Sequence, residues 1–87
     1  MIYIDKAFIP YRGMKMCHML ADSSNELLSF SEQIGLKKTW LQYKNTYKEH
    51  FDISEPYRKI AIEKGAIVVE RRQIALILKT KKVTGKF

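Results

Sequence analysis

Residues 54–81 read SEPYRKIAIEKGAIVVERRQIALILKTK, and this stretch decides the fold class. Ser54 offers a helix N-cap and Gly65 a left-handed stop, so a helix is predicted between them. The β-branched run Ala66–Val69 is too short for a helix and is predicted to form a buried strand. Apolar side chains then recur on one face of Arg71–Lys81, which predicts another helix. Helix, strand and helix in succession indicate an α/β domain.

Toward the N-terminus, similar patterns extend this order. Ile2–Ile4 is a β-prone run that ends at Asp5, and the segment that follows, Lys6–His18, is predicted to be a loop. A capping-box pattern predicts a helix over Ser24–Ile34, and Thr39–Gln42 has the residue types of a short strand. The order β-loop-α-β-α-β-α predicts a small single α/β domain in which three helices cover a short, mostly parallel sheet.

The formal net charge of +7 is concentrated at the C-terminal end of the chain. Residues 71–87 contain no acid and six of the 16 basic residues, namely Arg71, Arg72, Lys79, Lys81, Lys82 and Lys86. We therefore divide the chain into a nearly neutral domain, residues 1–78, and a basic tail, residues 79–87. The tail is interpreted either as a solvated segment or as an arm that binds nucleic acid.

Length and cysteine content narrow the class of protein. A chain of 87 residues with 46% apolar content can bury one core, and domains of this size often gain stability by pairing, so a homo-oligomer is expected. The single cysteine, Cys17, excludes an intrachain disulfide and predicts a cytoplasmic protein. Cys17 is interpreted as a small buried residue or, beside His18, as a nucleophile. No apolar run is long enough to span a membrane.

The triplet His50-Phe51-Asp52 is the most informative chemical pattern. In an extended backbone His50 and Asp52 project to one side while Phe51 turns toward the core. A histidine beside a carboxylate can serve as a general base, a metal ligand or a hydrogen-bond donor to phosphate. The alternative is structural: Asp52 caps the following helix and His50 lies on the surface.

His18 lies in an otherwise apolar run, where a histidine is either a satisfied core residue or part of a site. Asp5 ends the first strand and Asp22 precedes the first helix, so both carboxylates are candidate ligand-binding residues. Together with His50 and Asp52 these residues have the donor types for a divalent Mn, Fe or Zn ion. No His-Glu-x-x-His motif is present to specify such a metal site.

Three arginines and a Trp-Gln pair are further candidates. Arg58 lies one turn into the helix after Ser54, and Arg71-Arg72 lie where the last strand meets the last helix. Guanidinium groups at such places bind phosphate or carboxylate, or else remain ordinary surface charges. Trp40 and Gln42 share one side of the predicted strand. Trp40 is interpreted as a core or interface residue rather than a base-stacking platform, and Gln42 as a candidate ligand contact.

With these residues identified, the chain resembles the family called domain of unknown function 4031, small proteins of phages and actinobacteria. The resemblance spans most of residues 2–76. Its landmarks include Tyr3-Ile4-Asp5, His18-Met19-Leu20-Ala21-Asp22, Trp40-Leu41-Gln42, His50-Phe51-Asp52-Ile53, Arg58, Gly65-Ala66 and Arg72. The resemblance implies that His18, Asp22, His50, Asp52 and Arg58 form a common pattern, in which Phe51 stands where the family usually has tyrosine. It also implies a phage as one source of the protein. For a phage protein, a role in meeting host defences is then expected.

Three functions remain open from the sequence. The favoured one is binding of a nucleotide or another phosphate-bearing small molecule, with Arg58 and Arg72 facing phosphate. The second is a small hydrolase or nuclease, metal-assisted or histidine-dependent, with His50 as base, Asp52 orienting it and His18 as acid or second ligand. The third is an interaction protein that inhibits a host factor, or binds nucleic acid through the basic tail. Whether the protein is an enzyme is therefore left open.

Overall fold

Six strands and three helices make up the chain, and the computed structural model describes all residues from Met1 to Phe87. In chain order they are β1 (Ile2–Ile4), β2 (Ile9–Tyr11), β3 (Met14–Ala21), α1 (Ser24–Gln33), β4 (Leu41–Gln42), β5 (His50–Ser54), α2 (Glu55–Glu63), β6 (Ile67–Val68) and α3 (Arg71–Thr84). A 3₁₀ turn, Lys38–Trp40, precedes β4. The prediction of a small α/β domain with three helices is confirmed.

The sheet is mixed and mostly antiparallel, so the prediction of a mostly parallel sheet is wrong. Its strand order is β4-β5-β3-β1-β6, and β2 pairs with the first residues of β3. The long strand β3 lies at the centre and pairs antiparallel with β1, β2 and β5. Only β1 and β6 run parallel.

A tight turn at Arg12-Gly13 explains this difference. Both residues have positive φ, 49° and 77°, as a two-residue hairpin turn of type I′ requires. The turn converts most of the predicted loop Lys6–His18 into a hairpin of β2 and β3, and β3 therefore returns antiparallel beside β1. Pro10 lies in β2, which pairs only with β3 and so tolerates a residue without an N–H.

The hydrophobic core lies on one face of the sheet, beneath α1 and α2. The strand residues that point to this face alternate along the chain and are buried: Ile2, Ile4, Cys17, Met19, Ala21, Phe51 and Ile53. Leu27 and Phe30 of α1 and Ala61 of α2 complete the same cluster. Because side chains alternate along a strand, the intervening residues of β3 and β5, among them His18 and Asp52, lie on the opposite face.

Helix α3 continues to Thr84 and ends at Gly85, which has a φ of +66°. Most of the segment predicted to be a basic tail is therefore helical, including Lys79, Lys81 and Lys82. Lys81 is only 4% exposed, and burial lowers the pKa of its ammonium group below the usual value. None of the three helices has the length and apolar character needed to cross a membrane.

Candidate functional site

Strand register brings the two histidine-centred segments together on the face of the sheet opposite the hydrophobic core. His18 of β3 lies directly opposite Asp52 of β5, and His50 follows on the same side of β5. The centroids of the two imidazole rings are 5.3 Å apart, and the rings meet edge to face. We call His18, His50 and Asp52 the triad.

The three triad side chains direct one atom each toward a common point. The Nε2 atom of His50 is 3.4 Å from Oδ1 of Asp52, and Nε2 of His18 is 3.6 Å from the same oxygen. One ligand atom from each residue lies within 4.8 Å of the other two. Ligands about 2.0–2.1 Å from a tetrahedral ion are about 3.4 Å from one another. The two spacings to Oδ1 of Asp52 are close to this value, whereas the widest spacing in the triad, up to 4.8 Å, would have to shorten for all three atoms to bind one ion.

Each triad side chain also makes a hydrogen bond to a group outside the triad, and this bond fixes its orientation. Nδ1 of His18 is 2.6 Å from Oδ2 of Asp5, and Nδ1 of His50 is 2.7 Å from the backbone carbonyl of Lys48. The amide of Gln42 donates to Oδ2 of Asp52 at 2.6 Å. Because each Nδ1 faces an acceptor, it carries the proton in the neutral ring, and Nε2 is left with its lone pair. Two lone pairs then face a carboxylate oxygen, an arrangement that a bound cation stabilises.

Asp5 is the buried support of His18. Its Oδ1 accepts from the backbone N–H groups of His18 at 3.0 Å and Ala7 at 3.3 Å, and its side chain is 8% exposed. Burial acts to raise the pKa of the Asp5 carboxyl, but the hydrogen bonds from His18 and Ala7 outweigh it and hold that pKa below its usual value. The hydrogen bond to Asp5 in turn raises the pKa of His18, against the opposing effect of burial.

Replacing Asp5 with asparagine is therefore expected to lower the pKa of His18 in the metal-free protein. In the folded state this pKa is raised above the unfolded value of about 6.5, and that of Asp5 is lowered below about 3.9. The ion pair thus contributes fully between about pH 4 and 6.5, and its contribution is lost as the pH rises from about 6.5 through the folded pKa of His18 or falls from about 4 through that of Asp5. NMR titration of the His18 ring protons measures the shift, and urea unfolding across this pH range measures the stability difference. Asp22→Asn is the control, and an equal His18 shift in both variants would contradict the assignment.

Three predicted site residues lie outside the triad and its supports. Asp22 is exposed and accepts a hydrogen bond from the Tyr3 hydroxyl at 2.9 Å. The Arg58 guanidinium lies over the Phe8 ring, 5.3 Å from its centroid. Arg72 is exposed in the first turn of α3 and lines neither of the two cavities beside the histidines. Neither arginine lines a cavity beside the histidines, and their contact with a ligand stays a prediction.

The structure agrees with the prediction for Cys17 but not with the strand position predicted for Trp40. Cys17 lies in the core on the face opposite His18, and burial raises its pKa to about 11, so the thiol stays protonated at neutral pH. Its interpretation as a small buried residue is confirmed. Trp40 ends the 3₁₀ turn, so it does not share a strand face with Gln42; only Leu41 and Gln42 pair with β5.

Sequence reasoning missed two contributors to the site, both near His50. The Tyr43 ring stacks on the His50 ring, with centroids 5.8 Å apart and an interplanar angle of 27°. The backbone carbonyl of Lys48 holds Nδ1 of His50. An aromatic residue next to Gln42 was the only available signal for the first contact. A backbone carbonyl belongs to every residue type, so no signal existed for the second.

An open groove of about 800 Å³ adjoins the triad on the side of the β2–β3 hairpin. Its walls are mainly apolar, with Met14 and Met16 from β3 and Trp40 from the 3₁₀ turn, while His18 and Asp52 lie among its lining residues. A smaller cavity of about 230 Å³ lies on the other side, where Ile74 and Leu78 of α3 approach the two histidines. His18 and Asp52 are thus accessible from the groove, whereas His50 lines only the smaller cavity.

Comparison with known proteins identifies one family. The family model described as Protein of unknown function (DUF4031) matches residues 2–81, which include all six strands, α1, α2 and most of α3. Comparison with curated proteins and with solved structures gives no match. The chain belongs to the DUF4031 family.

Proposed function

We propose that this member of the DUF4031 family is a small metal-assisted hydrolase whose triad binds one divalent transition-metal ion. The observation that carries the proposal is the convergence of three acceptor atoms, Nε2 of both histidines and Oδ1 of Asp52, while both Nδ1 atoms face other acceptors. Acceptor atoms at 3.4 and 3.6 Å repel one another unless a proton or a metal ion lies between them.

The donor set supports a transition-metal ion. Two imidazoles and one carboxylate suit Zn, Fe or Mn, and three protein ligands leave coordination positions for water and substrate. Asp5 resembles the carboxylates that commonly stand behind metal-binding histidines, where they fix the tautomer and increase ligand basicity. Gln42 has the corresponding role behind Asp52, because it holds the oxygen that points away from the histidines.

The chemistry follows from an ion with an open position. Such an ion lowers the pKa of bound water and polarises a carbonyl or phosphoryl oxygen. In the hydrolytic step the water oxygen forms a bond to the carbonyl carbon or phosphorus, and the bond to the leaving atom breaks with its electron pair. One water proton is released and the leaving atom takes up a proton, so the overall reaction consumes one water. His18 and Asp52 would present the bound ion to a substrate in the groove.

This proposal differs from the nucleotide-binding function favoured by the sequence. That function relied on Arg58 and Arg72 to hold phosphate, and neither residue lines the groove or the smaller cavity. The hydrolase alternative relied on His18, His50 and Asp52, which lie together. The geometry therefore supports the second function better.

Metal titration combined with ester hydrolysis tests the proposal. The chelator-treated protein is titrated calorimetrically with Zn²⁺, Co²⁺ and Mn²⁺, and hydrolysis of 4-nitrophenyl acetate and bis(4-nitrophenyl) phosphate is followed by absorbance. We expect one ion per chain and metal-dependent hydrolysis of at least one ester, lost on chelation and in His50→Ala. Failure of all three ions to bind would contradict the metal site. Binding without hydrolysis of either ester would contradict the hydrolase assignment.

A further inference from the structure

The groove beside the triad has the shape and charge of a binding site for one class of substrate. We infer that this substrate is an elongated, largely apolar molecule with one anionic group, bound with its scissile bond at the triad and its anion at Arg12. The inference rests on the proposed function, since it names the substrate of that site. It draws on three separate features of the groove: its apolar walls, its length and its single basic residue.

The apolar walls come from both sides of the groove. Met14, Met16 and His18 alternate along β3, so the two methionines continue the row of side chains from the triad toward the hairpin. Trp40 stands in the wall as well, held edge to face against Tyr57 with ring centroids 6.1 Å apart. Ten of the 17 lining residues are hydrophobic. Burying such a surface against an apolar ligand lowers the free energy more than burying it against a polar one.

The length of the groove favours an extended ligand. Four strand residues, Met14 to Cys17, lie between Gly13 and His18, and the five residue steps correspond to about 16 Å at about 3.3 Å per residue. The volume of about 800 Å³ lies toward the upper end of the range of about 300–1,000 Å³ typical for small-molecule sites. A short ester would leave most of this apolar surface in water, whereas a chain of about a dozen atoms would cover it.

The charge of the groove selects an anion at the far end. Arg12 is the only lysine or arginine among the lining residues, and it lies in the hairpin turn. Its guanidinium contacts the Tyr11 ring, 5.3 Å from the centroid, and forms no ion pair within the chain. A guanidinium without a carboxylate partner is free to bind a ligand carboxylate, sulfonate or phosphate.

Trp40 provides the readout for a binding test, because it is the only tryptophan and it lies in the groove wall. Its fluorescence is recorded during titration with dodecanoate, dodecyltrimethylammonium and acetate, all below micellar concentrations, with and without Zn²⁺. We expect dodecanoate to bind at least tenfold more tightly than the cation of the same chain length, and acetate not to bind. Arg12→Gln should weaken dodecanoate binding about tenfold, or about 1.4 kcal/mol, and remove the preference for the anion. Arg72→Gln, which removes an arginine outside the groove, should change neither.

Each outcome bears on one claim. If Zn²⁺ binds while dodecanoate leaves the Trp40 fluorescence unchanged, the substrate class is wrong and the metal site stands. If dodecanoate binds but no metal ion does, the proposed function is wrong, while the class of ligand inferred for the groove stands. Equal affinity for the anionic and cationic chains would remove the role of Arg12. A dimer whose formation excludes dodecanoate would show that a second copy of the chain covers the groove, and would overturn the inference.

Discussion

Asp52→Asn is expected to lower the affinity for Zn²⁺ by at least about 100-fold. Even groups that only support a metal ligand contribute about 10–100-fold to affinity, and Asp52 is the only carboxylate of the triad. Its Oδ1 lies within 3.6 Å of both Nε2 atoms, so the substitution removes the negative charge from the point at which the ligands meet. Calorimetric titration of the chelator-treated protein measures the loss, and hydrolysis should fall to the level seen with chelator.

The control is Asp22→Asn, which removes an exposed aspartate hydrogen-bonded to Tyr3. It changes the total charge by the same amount but should leave Zn²⁺ affinity within about twofold, because surface charges are strongly screened. Circular dichroism should show both variants folded, since asparagine matches aspartate in shape. Zn²⁺ affinity within tenfold of the wild type in Asp52→Asn would show that Asp52 is not a ligand.

Local sequence patterns were sufficient to predict which residues share a side of a strand. The alternation of His50, Phe51 and Asp52 requires only an extended backbone, and β5 supplies it. Phe51 accordingly lies in the core while the two polar residues lie on the other face. Helices α1 and α2 were predictable for a similar reason, because their caps and apolar spacing are encoded within about ten residues.

The topology of the sheet depended on a turn whose signal is weak. Arg12-Gly13 lacks the asparagine or aspartate that usually marks a two-residue hairpin, so the hairpin was predicted to be a loop. In a parallel sheet, site residues gather at the carboxyl edge, beside helix N-termini such as those near Arg58 and Arg72. In the observed, mostly antiparallel sheet the site forms instead on a strand face, and the two arginines lie outside it.

Asp5 and Gln42 were predicted as candidate ligand contacts, but their role as supports of the triad could not be predicted, because it depends on pairing between distant segments. Asp5 reaches His18 only because β1 lies beside the end of β3, so that the backbone N–H of Asp5 donates to the His18 carbonyl. Gln42 reaches Asp52 only through the pairing of β4 with β5. Each contact is fixed by strand register, which short-range patterns leave undetermined.

Phe51→Ala is expected to reduce the free energy of unfolding by about 3–5 kcal/mol. The Phe51 side chain is fully buried at the centre of the core, and its removal leaves a cavity in a domain whose total stability is on the order of 5–10 kcal/mol. Urea unfolding of the metal-free protein measures the loss. Phe87→Ala, at an exposed C-terminal residue, should change stability by less than about 0.5 kcal/mol. A loss below about 1 kcal/mol in Phe51→Ala would contradict the packing described for this core.

Substitutions of Phe51 also distinguish effects on core stability from effects on Zn²⁺ affinity. Phe51 points away from the triad, so Phe51→Leu, which loses less volume, should retain Zn²⁺ affinity within about threefold while still lowering stability. Zn²⁺ at about 100 times its dissociation constant should restore about 2.7 kcal/mol to Phe51→Ala, because binding to the folded state alone stabilises it. Adding Asp52→Asn to Phe51→Ala should abolish that recovery. Recovery that persists in the double variant would mean that the ion binds elsewhere, since the core defect and the metal site meet only through the backbone of β5.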